Sequence, residues 1–241
     1  MRSAGRVDGA KAFILHTRPY SESSLIVDAF TREHGRVPLV ARGARRPRSA
    51  LRGVLLGFQP VMLGWSGRGE VRTLMRAEWL GGLAQLAGDQ LLCGFYLNEL
   101  VMRMLAREDP HDQVFDDYAH AVQRLSVGDD PEPVLRIFEK RLLAESGYAL
   151  MLEQEADTGK PIDPYGHYTY DPERGPISVT AGRDDQHVLV LGRSLLALHA
   201  EHFEDAVSLV DAKLLMRMLI THRLDHRPLL SRQVLRELQR L

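Results

Sequence analysis

Ser24-Leu25-Ile26-Val27-Asp28-Ala29-Phe30-Thr31, a turn at Glu33-His34-Gly35, and Arg36-Val37-Pro38-Leu39-Val40-Ala41 form the stretch that decides the fold. Leu25, Val27 and Ala29 alternate with Ile26, Asp28 and Phe30, the period of two expected of a strand. Pro38 lacks an amide hydrogen, which predicts an edge or a bulge at that point. Working outward, Ala12-Phe13-Ile14-Leu15-His16-Thr17 reads as a strand, with turn chemistry in Arg18-Pro19-Tyr20-Ser21-Glu22-Ser23. Residues 1–9 read as a loose lead-in. On the other side, Gly57-Phe58-Gln59-Pro60-Val61-Met62-Leu63-Gly64-Trp65 and Glu70-Val71-Arg72-Thr73-Leu74-Met75-Arg76-Ala77-Glu78 flank a hairpin turn at Ser66-Gly67-Arg68-Gly69. Five short strands in residues 1–80 predict an OB-type barrel, and a five-stranded SH3-like barrel fits the pattern almost as well.

Between the third and fourth strands lies Arg42-Gly43-Ala44-Arg45-Arg46-Pro47-Arg48-Ser49-Ala50-Leu51-Arg52, five arginines in eleven positions. No Asp or Glu stands between Glu33 and Glu70 to neutralise them. Gly43 and Pro47 break a helix, so the charges belong to a bent loop. Guanidinium forks match phosphate oxygens, which makes Arg36, Arg42, Arg45, Arg46, Arg48 and Arg52 candidate phosphate contacts. The plainer alternative is a solvated loop. Charge along the chain favours the first reading: residues 1–80 carry 14 Lys/Arg and 6 Asp/Glu, net +8, while the remaining residues carry 17 and 26, net −9. A basic unit on an acidic body predicts polyanion binding at one end. Among Tyr20, Phe30, Phe58 and Trp65, a small barrel needs most rings for its core. Trp65, beside the hairpin turn, is the candidate for an exposed stacking ring.

After Gly81-Gly82 the character becomes helical. Asp89 caps a helix to about residue 106, a second covers residues 113–125, and a third opens at Asp129-Asp130-Pro131 and stops at Gly147. Residues 150–191 are broken by Gly and Pro and read as a small strand-and-turn subdomain. Helices resume near Gly192, one ending around Leu224 and a last one capped by Ser231. The expected organisation is α+β: an OB domain over 1–80, a helical domain over 83–149 and 192–241, and the subdomain over 150–191.

Enzyme chemistry finds no support in the motifs. Gly159-Lys160 is followed by Pro161 and lacks the phosphate-loop glycines. Cys93 is the single cysteine, which excludes an internal disulfide and a cysteine-built zinc site. The pairs His199/His202 and His222/His226 lack a third ligand, and the acids Glu108, Asp109, Asp112, Asp116 and Asp117 read as helix-end charges. The apolar runs are too short to span a bilayer and the N-terminus lacks a signal-peptide core, so a cytoplasmic protein is expected.

Several segments resemble the bacterial recombination mediator family RecO. They are residues 13–24, Phe30-Thr31-Arg32-Glu33-His34-Gly35-Arg36, Val40-Ala41-Arg42-Gly43-Ala44-Arg45, Tyr96-Leu97-Asn98-Glu99-Leu100, Phe138-Glu139-Lys140-Arg141-Leu142-Leu143 with Gly147-Tyr148, and Pro228-Leu229-Leu230-Ser231-Arg232. The resemblance implies an OB fold, a helical domain and an extra small domain. It also implies a non-enzymatic role: binding single- and double-stranded DNA, annealing complementary strands, engaging the C-terminal tail of single-stranded-DNA-binding protein, and working with RecR to help load RecA. For that tail, Arg136, Ile137 and Lys140 on the third helix are the candidate contacts. Many relatives carry a four-cysteine zinc site, but Glu155 and Thr158 stand where cysteines would, so neither zinc nor another cofactor is expected. The alternative function is an RNA-binding OB module without a repair role.

Overall fold

The computed structural model describes residues 5–179 and 188–238. These divide into two compact units, meeting at Gly128 and Asp129, with the chain from Val234 onward grouped with the first. The helices of residues 83–128 cluster with the barrel in this division.

In the first unit, β1 (Arg6–Pro19), β2 (Leu25–Thr31), β3 (Gly35–Ala41), β4 (Pro60–Ser66) and β5 (Arg72–Trp79) close a barrel in the order β1-β2-β3-β5-β4. Its seam is the parallel pairing of β3 with β5, only Leu39 with Arg72 and Val40 with Thr73. A short helix, α1 (Leu51–Val54), joins β3 to β4. That order and nearly open seam are the OB arrangement, which removes the SH3-like alternative.

β1 is longer than its sequence pattern predicts, because it serves two neighbours. Arg6 to Phe13 pair with β4, and Ala12 to Pro19 pair with β2. Thus Arg6–Gly9, expected to be part of a lead-in, are strand; Met1–Ala4 lie outside the described residues. The register slips between Ile14 and His16, a bulge that bends the strand. Leu15 has no partner in either ladder, yet is buried. Its carbonyl is met by the Asn98 side-chain amide at 2.8 Å.

Asn98 lies on α2 (Gly88–Met104), which is joined to α3 (Asp112–Ser126). Tyr118 of α3 donates its hydroxyl to Asn98 Oδ1, and burial pushes that hydroxyl's pKa far up, so it stays a donor. Around this polar link pack Phe13 and Phe30 of the barrel against Phe115 and Tyr118, with ring centroids 5.1–6.0 Å apart. This explains why β2 is buried on both faces at Val27 and Phe30 alike: α3 covers its outer side. The link between α2 and α3 covers the free edge of β3 ahead of Pro38, where Glu108 N–H donates to the Arg36 carbonyl at 3.0 Å. Gly35 has φ +62, and a Cβ built there would stand 2.1 Å from the Asp109 carbonyl oxygen. Only glycine permits that approach.

The second unit opens with α4 (Pro131–Glu145), whose Asp130 cap accepts from the Glu132 amide at 3.0 Å. A three-stranded sheet in the order β7-β6-β8 follows, from β6 (His167–Asp171), β7 (Gly175–Val179) and β8 (Leu189–Leu191). Its Tyr168 and Tyr170 are core residues. Helices α5 (Gly192–Ala200) and α6 (Ala206–Arg223) pack on one another, and α7 (Leu230–Leu238) ends the described chain. In the turn expected to stand in for a zinc knuckle, Thr158 donates its hydroxyl to Glu155 Oε2, and Glu155 N–H bonds the Lys160 carbonyl at 2.8 Å. Among the described residues, no three His, Cys, Asp or Glu side chains are grouped to hold a metal ion. None of the described helices is long and apolar enough to cross a membrane.

Candidate nucleic-acid interface

The positive charge of the barrel is sorted by pairing. Arg6 pairs with Asp8 at 2.7 Å and Arg76 with Glu78. Arg72 reaches Glu108 at 2.8 Å. Arg32 makes a two-pronged contact with Asp116, at 2.8 and 3.1 Å, with Asp112 3.7 Å away. Hydrogen bonding to Arg32 holds the Asp116 carboxyl below its ordinary range. The acids of residues 108–117 therefore serve substantially as counter-charges to barrel arginines, beyond the helix-end role that sequence predicts.

Exposed Arg18 on β1 also lacks an ion pair among the described residues, but the free charge clusters in the loop. Arg42, Arg46, Arg48 and Arg52 are exposed, and among the described residues none of them forms an ion pair. Arg45 is also exposed and free of ion pairs, but it gives Nη1 to the Ser21 carbonyl at 2.6 Å, while its backbone N–H bonds the Ser23 carbonyl at 2.9 Å. Arg45 thereby ties the arginine loop to the β1–β2 turn. Arg46 N–H bonds the Gly43 carbonyl at 3.1 Å, with Gly43 at φ +70, so the loop is a hydrogen-bonded bend.

Between this loop, the β1–β2 turn and the start of β5 lies a groove of about 460 Å³, lined among others by Tyr20, Ser23, Arg42, Arg46, Val71 and Thr73. It sits on the β2–β3 side of the barrel, where OB folds receive oligonucleotides.

Three candidates stand elsewhere. Arg36 is turned inward: Nη1 donates to the Met102 and Leu105 carbonyls at 2.5 and 2.7 Å, closing the C-terminal end of α2. Burial pushes its pKa down. It is a structural cap, not a phosphate contact. Trp65 is 1% exposed and belongs to the barrel core, its ring edge-on to His34 with centroids 5.3 Å apart. The turn beside it carries no aromatic ring into solvent; Tyr20, 63% exposed, is the ring at the groove. A turn of Pro-Tyr-Ser between two strands, next in space to an arginine loop, was the available signal.

Arg136, a candidate contact for the partner tail, is 4% exposed and pairs with buried Glu139 at 2.9 Å. Lys140 donates Nζ to the Leu198 and His199 carbonyls at 3.2 and 2.8 Å, capping the end of α5, and meets Glu201 at 2.9 Å. Ile137 between them is half-buried. Helical spacing puts these cations on one side of α4 but does not reveal that Arg136 pairs with Glu139 or that Lys140 reaches the end of α5. The rings of His222 and His226 lie edge-on 6.5 Å apart.

A five-stranded barrel of OB order, with unpaired guanidiniums in the loop after β3, defines an OB-fold protein. Residues 9–83 match the family model for the recombination protein O N terminal, and residues 85–233 the model for its C terminal. The DNA repair protein RecO of Aromatoleum aromaticum is 50% identical over 241 residues, covering all of both chains. Those of Dechloromonas aromatica and Nitrosospira multiformis are 48% and 46% identical over 244 and 236 residues, covering 100% and 98% of each chain. The chain belongs to the RecO family.

Proposed function

We propose that the chain is a DNA-binding recombination mediator that acts in repair by gripping sugar-phosphate backbones on the arginine rim of its barrel. The observation that carries this reading is the sorting of charge: the paired barrel arginines are spent on carboxylates or carbonyls, while Arg42, Arg46, Arg48 and Arg52 are left to solvent in one loop, Arg42 and Arg46 lining the groove. Such contacts hold any sequence, because phosphates carry no base identity. By screening the repulsion between two strands, the same loop promotes annealing of complementary DNA, including DNA coated by single-stranded-DNA-binding protein. The tail of that protein, RecR, and through RecR the loading of RecA, belong to this proposal as partners. Arg136 and Lys140 are engaged within their own unit, so tail recognition needs cations other than these two.

Replacing Arg46 and Arg48 together by Ala tests the reading. Each lost phosphate contact reduces the slope of log affinity against log salt by about 0.7 on single strands and about 0.9 on duplex. A fall of about 1.4 in the single-strand slope is expected for two contacts. Unchanged affinity and slope would remove the loop as the binding site. Competition by RNA as strong as by DNA would favour an RNA-binding module, and failure to anneal coated strands would remove the mediator role.

A further inference from the structure

Most large rings of the barrel are spent on packing. Phe13, Phe30, Phe58 and Trp65 are all buried. Tyr20 and Trp79 are exposed, and of the two only Tyr20 lines the arginine groove. A surface tyrosine is ordinarily mobile, but this one is fixed at its backbone. Its N–H bonds the Ser24 carbonyl at 3.1 Å, closing the turn. The turn is held from the other side by Arg45, through the Ser23 carbonyl at 2.9 Å and the Ser21 carbonyl at 2.6 Å. Ring and cationic loop therefore form one wall. An aromatic face beside two unpaired guanidiniums offers both halves of a nucleotide their partners, a π surface for the base and charge for the phosphate.

Resting on the reading that the arginine rim holds DNA, we propose that Tyr20 is a stacking platform for a single unpaired nucleobase, with the adjoining backbone phosphates on Arg42 and Arg46. The ring thus favours single strands, while the arginines serve both. A base inside a duplex has both faces covered by its neighbours and cannot lie on the ring, whereas the backbone of a duplex still reaches the arginines. Stacking is indifferent to base identity, since every base has a π face, so the site prefers unpaired DNA without preferring a sequence. Arg45 is a positioning residue here: it orients the turn that carries the ring.

The test compares the full chain with Tyr20→Ala, Tyr20→Phe, Arg45→Ala and Arg46→Ala. Fluorescence anisotropy is read on a labelled oligothymidylate and on a duplex of equal length, at about 50 and about 200 mM salt. Tyr20→Ala is expected to weaken single-strand binding by about 5- to 100-fold, the range for loss of one stacked base. Duplex binding should stay within about twofold, and the salt slope should not move, because no phosphate contact is lost. Tyr20→Phe keeps the ring and should retain single-strand affinity. Arg46→Ala should weaken both ligands and flatten both slopes. Arg45→Ala should behave as a partial Tyr20→Ala, with the larger loss on single strands. Tyr20→Ala that leaves single-strand affinity intact, or lowers both ligands equally, overturns the stacking role while the arginine reading stands. Arg46→Ala without effect on either ligand overturns the arginine reading, and with it this proposal's phosphate contacts, whatever Tyr20 does. Because Tyr20 is exposed, unchanged emission from Trp65 and Trp79 serves as the folding control.

Discussion

Replacing Asn98 by Ala should destabilise the barrel unit more than its modest size suggests. The slip in β1 leaves the Leu15 carbonyl without a ladder partner, and Asn98 Nδ2 meets it at 2.8 Å. Tyr118 donates its hydroxyl to the other end of the same amide, and Asn98 is 2% exposed, so water does not replace either bond. The substitution takes a donor from one buried polar group and an acceptor from another at once. At about 1–3 kcal/mol for each, the expected loss is about 2–6 kcal/mol. With a urea dependence of about 2 kcal/mol per molar, the midpoint should fall by about 1–3 M with an unchanged slope. Both tryptophans of the chain, Trp65 and Trp79, lie in β4 and β5, so emission during urea titration follows this unit without the other. Tyr118→Phe alone should cost less, since Leu15 keeps its donor. The double variant should be less damaging than the sum of the two, with a coupling of about 0.5–3 kcal/mol. Asn98→Asp should be at least as harmful as Ala, because it removes the donor and adds a buried charge. A midpoint shift below about 0.3 M for Asn98→Ala would refute the claim that the bulge depends on this amide.

Gly35→Ala should lower the barrel's stability by about 2 kcal/mol or more, since its Cβ would stand 2.1 Å from the Asp109 carbonyl oxygen at φ +62; a melting temperature within about 2 °C of the parent would count against the close approach. Arg36→Ala should cost about 1.5–3 kcal/mol by stripping a charged donor from the Met102 and Leu105 carbonyls, yet leave the salt slope of DNA binding unchanged; a flattened slope would return Arg36 to the phosphate contacts. The Glu201 carboxyl is pushed up by burial but lowered on balance by hydrogen bonds from Arg141 and Lys140 to below its ordinary 4.5. A carboxylate lowered by folding stabilises the native state above its unfolded pKa and loses that contribution as pH falls through the folded one. Circular dichroism urea midpoints should therefore converge for the parent and Glu201→Gln as pH falls below about 4.5, and separate above it. Parallel curves across that range would show that the carboxylate does not carry the link between α4 and α5.

Alternation made the barrel legible. Leu25 to Phe30 and Val71 to Arg76 could be assigned to strands without any contact being known, and the Ser66 to Gly69 turn marked the hairpin of β4 and β5. What alternation could not show was which outer faces are covered. Phe30 sits on the nominal outside of β2 and is still fully buried, because α3 lies over it. The same limit governed the site. The arginine loop stood out through composition, a local property. Whether a given arginine is spent depends on partners distant in sequence: Arg32 on Asp116, Arg36 on Met102 and Leu105, Arg72 on Glu108. Trp65 and Tyr20 exchanged roles for the same reason. Both flank turns, but Trp65 faces into the ring that closes β4 against β1 and β5, while Tyr20 lies past the last residue of β1, where the barrel has no interior left to fill.

The division between structure and site has an energetic logic. Guanidiniums on the order of 8 Å apart repel by about 0.5 kcal/mol per pair in bulk water, so several in one loop oppose their own clustering by a few kcal/mol at low salt. Elsewhere on the barrel that opposition is cancelled by Asp8, Glu78, Glu108 and Asp116. In the loop it is left standing and is contained by backbone geometry: the bends at Gly43 and Arg46, and the Arg45 bonds to Ser21 and Ser23. A loop held by its own carbonyls keeps its shape without counter-charges, so the charge stays available to an incoming chain of phosphates. That chain then relieves repulsion already present in the free protein. The interface accordingly sits on the rim, beside a β3–β5 seam only two pairs long, where adding a ligand disturbs none of the packing between β1, β2 and α3 that holds the unit together.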